Sequence, residues 1–280
     1  MSKITIYPDN ESLIIGASDF IADQASRAIA ERGRFTLTLS GGNTPRPVYA
    51  RLATPGYRDR IDWSKVQIFF GDERCVPPDD PQSNYLMVRT ALLDQVPLPA
   101  SNISRIRGEE APEEAAADYT DALQRTFGGD PVTGGPPPEG FDLILLGMGD
   151  NGHTASLFPG LAAVTETVRW VMAQYVEVVG MWRVTMTPVI INAARQVAFL
   201  VSGAQKADML HRVLEGPYHP VVLPSQVIKP TSGELHWLLD APAAAKLRSK
   251  SGAMSPLDLR PSPGTSRKRP SMQSNSSLPG

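Results

Sequence analysis

Residues 141–160 read FDLILLGMGDNGHTASLFPG, and the fold follows from them. The run FDLILL has the length and apolarity of a strand buried on both faces of a parallel sheet. It opens into a loop with glycines at 147, 149 and 152, followed by His153 and, six residues on, the breaker pair Pro159-Gly160. α/β proteins bind their ligands beyond the carboxyl ends of such strands. An imidazole there is suited to proton transfer near neutral pH.

The three glycines also satisfy G-x-G-x-x-G, the dinucleotide fingerprint. That fingerprint needs a long helix starting at its third glycine, to hold a pyrophosphate. Pro159 and Gly160 leave room for about two turns, and no second strand ending in an acid follows at the usual distance; Glu166 lies in the unpatterned run AAVTET. Nicotinamide and flavin binding are therefore set aside.

Outward from this strand, apolar runs alternate with helix-like segments. Strands are expected at 3–7, 35–39, 66–70, 141–146, 196–201 and 234–239, and helices at 11–32, 45–53, 84–94, 112–127, 203–215 and 241–248. The alternation predicts a mostly parallel sheet with helices on both faces. Residues 1–248 read as a single α/β domain, with 128–140 as a loop inside it. Residues 249–280 hold nine Ser and five Pro with few large apolar side chains, and read as a disordered tail.

The 280 residues carry a net charge of −2, but the tail holds five Lys/Arg against one Asp, leaving 22 basic and 28 acidic residues in 1–248. That balance argues against nucleic acid and requires an anionic ligand to be met by local positive groups. A single cysteine, Cys75, fits a reducing compartment. No signal-peptide core or membrane-length apolar run is visible, so a cytoplasmic protein, monomeric or a small homo-oligomer, is expected.

Three further strand ends carry chemistry. Ser40-Gly41-Gly42-Asn43-Thr44-Pro45 offers backbone amides at a helix N-terminus, with Thr44 as expected N-cap and Pro45 as first helical residue. Gly71-Asp72-Glu73-Arg74 follows VQIFF and supplies a guanidinium suited to phosphate, while Ser83-Asn84 fits the cap of the next helix. Gly203-Ala204-Gln205-Lys206 follows VAFLVS; a lysine in a first helical turn opposes the macrodipole unless an anion offsets it. Cys75 reads as a bystander thiol, and His211, His219 and His236 fall at no metal-ligand spacing, so no metal is expected.

Together LSGGNTP (39–45), FFGDERCVPPDDPQSNY (69–85), LLGMGDNGHTASLFPG (145–160), RVTMT (183–187) and VSGAQKA (201–207) resemble the 6-phosphogluconolactonase family, over about residues 3–248. The resemblance implies a sugar-phosphate isomerase/CoA-transferase-like three-layer α/β fold. It implies hydrolysis of 6-phospho-D-glucono-1,5-lactone to 6-phosphogluconate, with no cofactor or metal. His153 would be the general base, with Arg74 and the loop Ser40, Gly41, Gly42, Asn43 and Thr44 on the phosphate. Arg183 and Lys206 would be further anion contacts, and Asp72 and Asn151 further catalytic candidates. The family commonly has aspartate two residues before the histidine, where this chain has Asn151. A neutral amide there would weaken the base, unless the neighbouring Asp150 compensates. Two other readings stand beside the lactonase: an amino-sugar phosphate deaminase or isomerase, and a non-catalytic sugar-phosphate-binding protein, for which Asn151 is the best support.

Overall fold

The computed structural model describes residues 2–131 and 134–248, together with the backbone of 253–254. The chain runs through β1 (Lys3–Tyr7), α1 (Asn10–Arg32), β2 (Phe35–Leu39), α2 (Pro45–Leu52), α3 (Pro55–Arg58), β3 (Val66–Phe70), β4 (Asp72–Arg74), α4 (Asn84–Ala91) and α5 (Pro112–Phe127). It continues through β5 (Leu143–Gly147), β6 (Val171–Val176), β7 (Met181–Met186), α6 (Pro188–Ile191), β8 (Gln196–Val201), α7 (Ala207–Glu215), β9 (Glu234–Asp240) and β10 (Ala253–Met254).

The main sheet has the order β10-β1-β9-β8-β5-β2-β3, with every pair parallel. Such a sheet is covered on both faces, which accounts for the nearly continuous burial along β2 and β5. All six strands expected from the sequence lie in it. From β5 the chain builds towards β8 and β9, whereas β2 and β3 lie on the other side. The loops after β2 and β5 therefore part at a switch point, where an open α/β sheet leaves a crevice.

Helix α1 shows how the layers are specified. Asp9 accepts a hydrogen bond from Ser12 N at 2.7 Å, capping the helix start, and Gly33 ends it at φ 73° with its N–H on Ile29 O. Leu13, Ala17, Phe20, Ile21, Ala25 and Ala28 recur at helical spacing and are buried. Two tyrosine hydroxyls satisfy strand-end backbone that would otherwise be orphaned. Tyr119 of α5 bonds Phe70 N and O, both at 2.8 Å, and Tyr49 of α2 bonds Ser40 N and O at 3.0 and 2.9 Å. The second clip fixes the start of the 40–44 loop.

A small antiparallel sheet, β4-β7-β6, was not expected. At Gly71 the chain steps from β3 directly into β4; Gly71 N donates to Leu39 O and Gly71 O accepts from Met186 N. This sheet hangs over the carboxyl end of β2 and β3. Its strands escape a sequence reading because β4 has three residues and β6 alternates imperfectly.

Two local expectations fail. Thr44 is not a side-chain cap: its backbone is already helical at φ −69° and ψ −48°, and its hydroxyl caps nothing, although Pro45 does open α2. Residues 241–248 form successive turns and no helix. The buried Asp240 carboxylate takes Ala243 N, Gly203 N and Ser202 Oγ, tying the segment's start to the β8 loop, and so short a stretch gains too little from propagation. The Ser83 cap does form, on Leu86 N at 3.1 Å. The expected tail lies outside the described residues, except that Ala253–Met254 adds a two-residue strand to β1.

Candidate active site

The loops after β2, β5 and β8 and the inner edge of the small sheet enclose a cleft of about 500 Å³. Ser40, Gly41, Gly42, Asn43, Thr44, Asp72, Arg74, His153, Arg183 and Lys206 all line it. Asn151 stands outside the lining, behind His153.

His153 is held on three sides. Its Nδ1 lies 2.6 Å from Asn151 Oδ1, and its own backbone N donates to the same oxygen at 3.2 Å. The backbone N–H, which can only donate, marks that atom as the amide oxygen. Nδ1 therefore carries the ring proton and Nε2 keeps its lone pair. Phe158 stacks on the ring at 4.1 Å between centroids and 15° between planes. On the other side, a Cβ at position 149 would sit 2.0 Å from Nδ1, so only glycine admits the imidazole there. Burial pushes the His153 pKa down to about 4; Lys206 and Arg183 act in the same sense, while Asp72 and Asp150 oppose them. The ring is thus neutral throughout the physiological range.

The neutral amide thus takes over the orienting contact expected of a carboxylate. Asp150 does not compensate: its carboxylate pairs with Lys206, which lowers its pKa, and makes no bond to His153. The anion that offsets Lys206 at the start of α7 is therefore a side chain of this protein.

The opposite wall is cationic. In the β4–β7 register Arg74 faces Arg183 directly. Like charges in that position repel. Among the described residues neither forms an ion pair, and the Nε atoms of both, with Ser40 Oγ, are buried without a hydrogen-bond partner. Arg74 donates from Nη1 to Gln82 O. Burial lowers the Arg183 pKa, against the pull of Asp72. Two facing guanidiniums with unbonded Nε atoms and an unpaired hydroxyl beside an open cleft call for an oxyanion with several acceptors.

Carboxylates set the scaffold beneath. Glu73 is buried and accepts from Arg74 N, Asn84 N, Tyr85 N and Ser83 Oγ, so it folds the 73–85 loop; burial raises its pKa in spite of these bonds. Asp72 accepts from Ser156 Oγ at 2.6 Å and lines the same cleft as His153, whose charged form it favours. Asn84, marked in the sequence only as part of a helix cap, donates to Asp72 O at 2.9 Å, and its Oδ1 would lie 1.8 Å from a Cβ at position 41. That close approach explains Gly41. Phe158 is marked in the sequence only by LFPG, and Asp150 only as a stand-in for the missing carboxylate; its pairing with Lys206 is a feature of the fold.

The remaining candidates lie elsewhere. His236 is buried against Phe20 near Glu234, and His211 Nδ1 lies 2.9 Å from Glu215 on its own helix. Burial pushes the Cys75 thiol up to about 11, which suits a bystander and not a nucleophile. Among the described residues no three His, Cys, Asp or Glu side chains are grouped to hold a metal, and no helix is long and apolar enough to cross a membrane.

The sequence profile of the family described as glucosamine-6-phosphate isomerases/6-phosphogluconolactonase matches residues 8–237. The chain belongs to this family. The matched span of the glucosamine-6-phosphate isomerase/6-phosphogluconolactonase family takes in all the cleft loops and the small sheet, and stops before β10. The 6-phosphogluconolactonase of Nostoc sp. is 42% identical over 245 residues, covering 87% of this chain and 98% of that protein. That of Synechocystis sp. is 42% identical over 247 residues, covering 88% and 98%. The solved structure of 6-phosphogluconolactonase from Trypanosoma cruzi superposes with a TM-score of 0.78 at 28% identity, covering 89% of this chain and 98% of that one.

Proposed function

We propose that this protein hydrolyses 6-phospho-D-glucono-1,5-lactone to 6-phosphogluconate. One observation carries the reading: a neutral imidazole with a free Nε2 stands in the same cleft as two facing arginines that form no ion pair among the described residues. The names of the relatives point the same way.

Arg74, Arg183 and the 40–44 amides take the phosphate, and Lys206 joins them when it leaves Asp150. Holding that remote group places the lactone carbonyl beside His153, which lowers the barrier through orientation. Nε2 takes a proton from water as the oxygen adds to C1. The tetrahedral intermediate then expels the ring oxygen, which receives that proton from Nε2. Loop amides are the candidates to stabilise the oxyanion between these steps. A δ-lactone is already activated, so a base as weak as His153 suffices and no metal-bound hydroxide is required.

The non-catalytic reading rested on Asn151 and loses its support, since Asn151 orients the ring. A cytoplasmic setting suits the single cysteine and a phosphorylated metabolite. The test is hydrolysis of freshly generated lactone, coupled to 6-phosphogluconate oxidation, with a no-protein control. A rate well above spontaneous hydrolysis is expected. A rate equal to the control would overturn the reading, and ammonia release from glucosamine 6-phosphate would turn it towards the deaminase.

A further inference from the structure

Ala155 has φ +47°, the one positive φ at a non-glycine among the described residues. It occupies the first central position of a two-residue turn, closed by Leu157 N–H on Thr154 O at 2.8 Å. Positive φ at the first central residue and not at the second is the type II′ pattern, which favours glycine there. The loop uses glycine freely at 147, 149 and 152, so a Cβ at 155 stands where the backbone disfavours one. The surroundings hold the strained turn in place. Thr154 Oγ1 donates to Gly147 O at 2.8 Å, Ser156 Oγ to Asp72 at 2.6 Å, and Ser156 N to Thr185 Oγ1 at 3.2 Å.

Ala155 lines the cleft, two residues from His153, and it is part-buried. His153 Nε2 must meet C1 of the substrate, because Nδ1 is taken by Asn151. The wall next to His153 therefore lies beside C1 of a bound lactone ring, where C2 is the nearest stereocentre. We infer that the Ala155 methyl is a specificity-determining contact for the proposed lactonase reaction, closing the cleft against C2 of the ring and selecting the configuration there. This inference rests on the lactonase reading. A methyl that served only as a core contact would have no bearing on substrate choice, and glycine would serve the turn as well or better.

The experiment compares wild type, Ala155→Gly and Ala155→Ser on 6-phosphogluconolactone and on its C2 epimer, 6-phosphomannono-1,5-lactone. Wild type is expected to prefer the gluco configuration. Ala155→Gly should narrow that kcat/KM ratio by about tenfold, the scale of one lost apolar group in a pocket. Its thermal midpoint should not fall, and the acid limb set by His153 should not move. Ala155→Ser keeps the Cβ and should retain the ratio. An unchanged ratio in Ala155→Gly, with or without a lower midpoint, would overturn the inference while leaving the lactonase standing. Absence of turnover by wild type on either lactone would overturn the functional reading itself.

Discussion

Replacing Asn151 by aspartate puts a charge where the structure has a neutral acceptor, 2.6 Å from His153 Nδ1. The charge centres would be about 4 Å apart, which at an effective dielectric constant of about 20 is worth about 4 kcal/mol. At 1.36 kcal/mol per pKa unit that is about three units, the upper end of what a neighbouring opposite charge achieves. The Asn151 side is exposed, so water screens the pair and a rise of about one to two units is the fitting magnitude. His153 would move from about 4 to between about 5 and 6. A stronger base transfers the proton more readily while it stays neutral at pH 7 to 8, so kcat should rise about 3- to 10-fold for a Brønsted dependence of about one half. The assay is kcat/KM from pH 4 to 8. The acid limb of Asn151→Asp should lie one to two units above that of wild type, with a higher plateau. A limb that stays put would refute the reasoning that the residue at 151 acts through the imidazole, and a plateau that falls while the limb moves would refute the reasoning that a stronger base raises the rate.

Gly149→Ala drives a methyl into the His153 ring, 2.0 Å from Nδ1; activity should fall by about 10²-fold or more while the circular dichroism spectrum stays that of the folded protein. Asp150→Asn releases Lys206 from its ion pair, so KM should drop several-fold with kcat little changed, and isothermal titration with 6-phosphogluconate should show tighter binding. Arg183→Ala removes one of two facing guanidiniums; KM should rise by about 10- to 100-fold, the worth of a charged hydrogen bond, while melting experiments show no large loss, because the like-charge repulsion goes too. His153 is depressed from 6.5 to about 4, so the unfolded chain binds the extra proton between those pH values. Stability should therefore be constant above about pH 6.5 and lose about 3 kcal/mol as pH falls towards 4, a loss that His153→Ala should lack in urea unfolding.

Hydrophobic pattern alone marked all six long strands of the main sheet, because strands buried on both faces write continuous apolar runs such as FDLILL and VAFLV. Strand-end glycines and the charges beside them marked the cleft, since the parallel topology collects such ends at one edge. The small sheet stayed hidden because β4 has only three residues and β6 breaks its alternation, with Arg74 and Arg183 paired across 109 positions of sequence. Asn84 showed in the sequence only as part of a helix cap, as its contacts with Gly41 and Asp72 exist only after folding. The Thr44 cap failed although the residue type was right, because the backbone had already turned helical before it. Asn151 was read as a loss; its role depends on which oxygen faces Nδ1, and residue type alone does not carry that geometry.

The central claim is that His153 is the base in a cleft armed for phosphate, and steady-state hydrolysis by His153→Ala tests it most directly. The account predicts a kcat lower by about 10² to 10⁴-fold, as for loss of a positioned general base, with KM close to that of wild type. A kcat within a few-fold of wild type would contradict it.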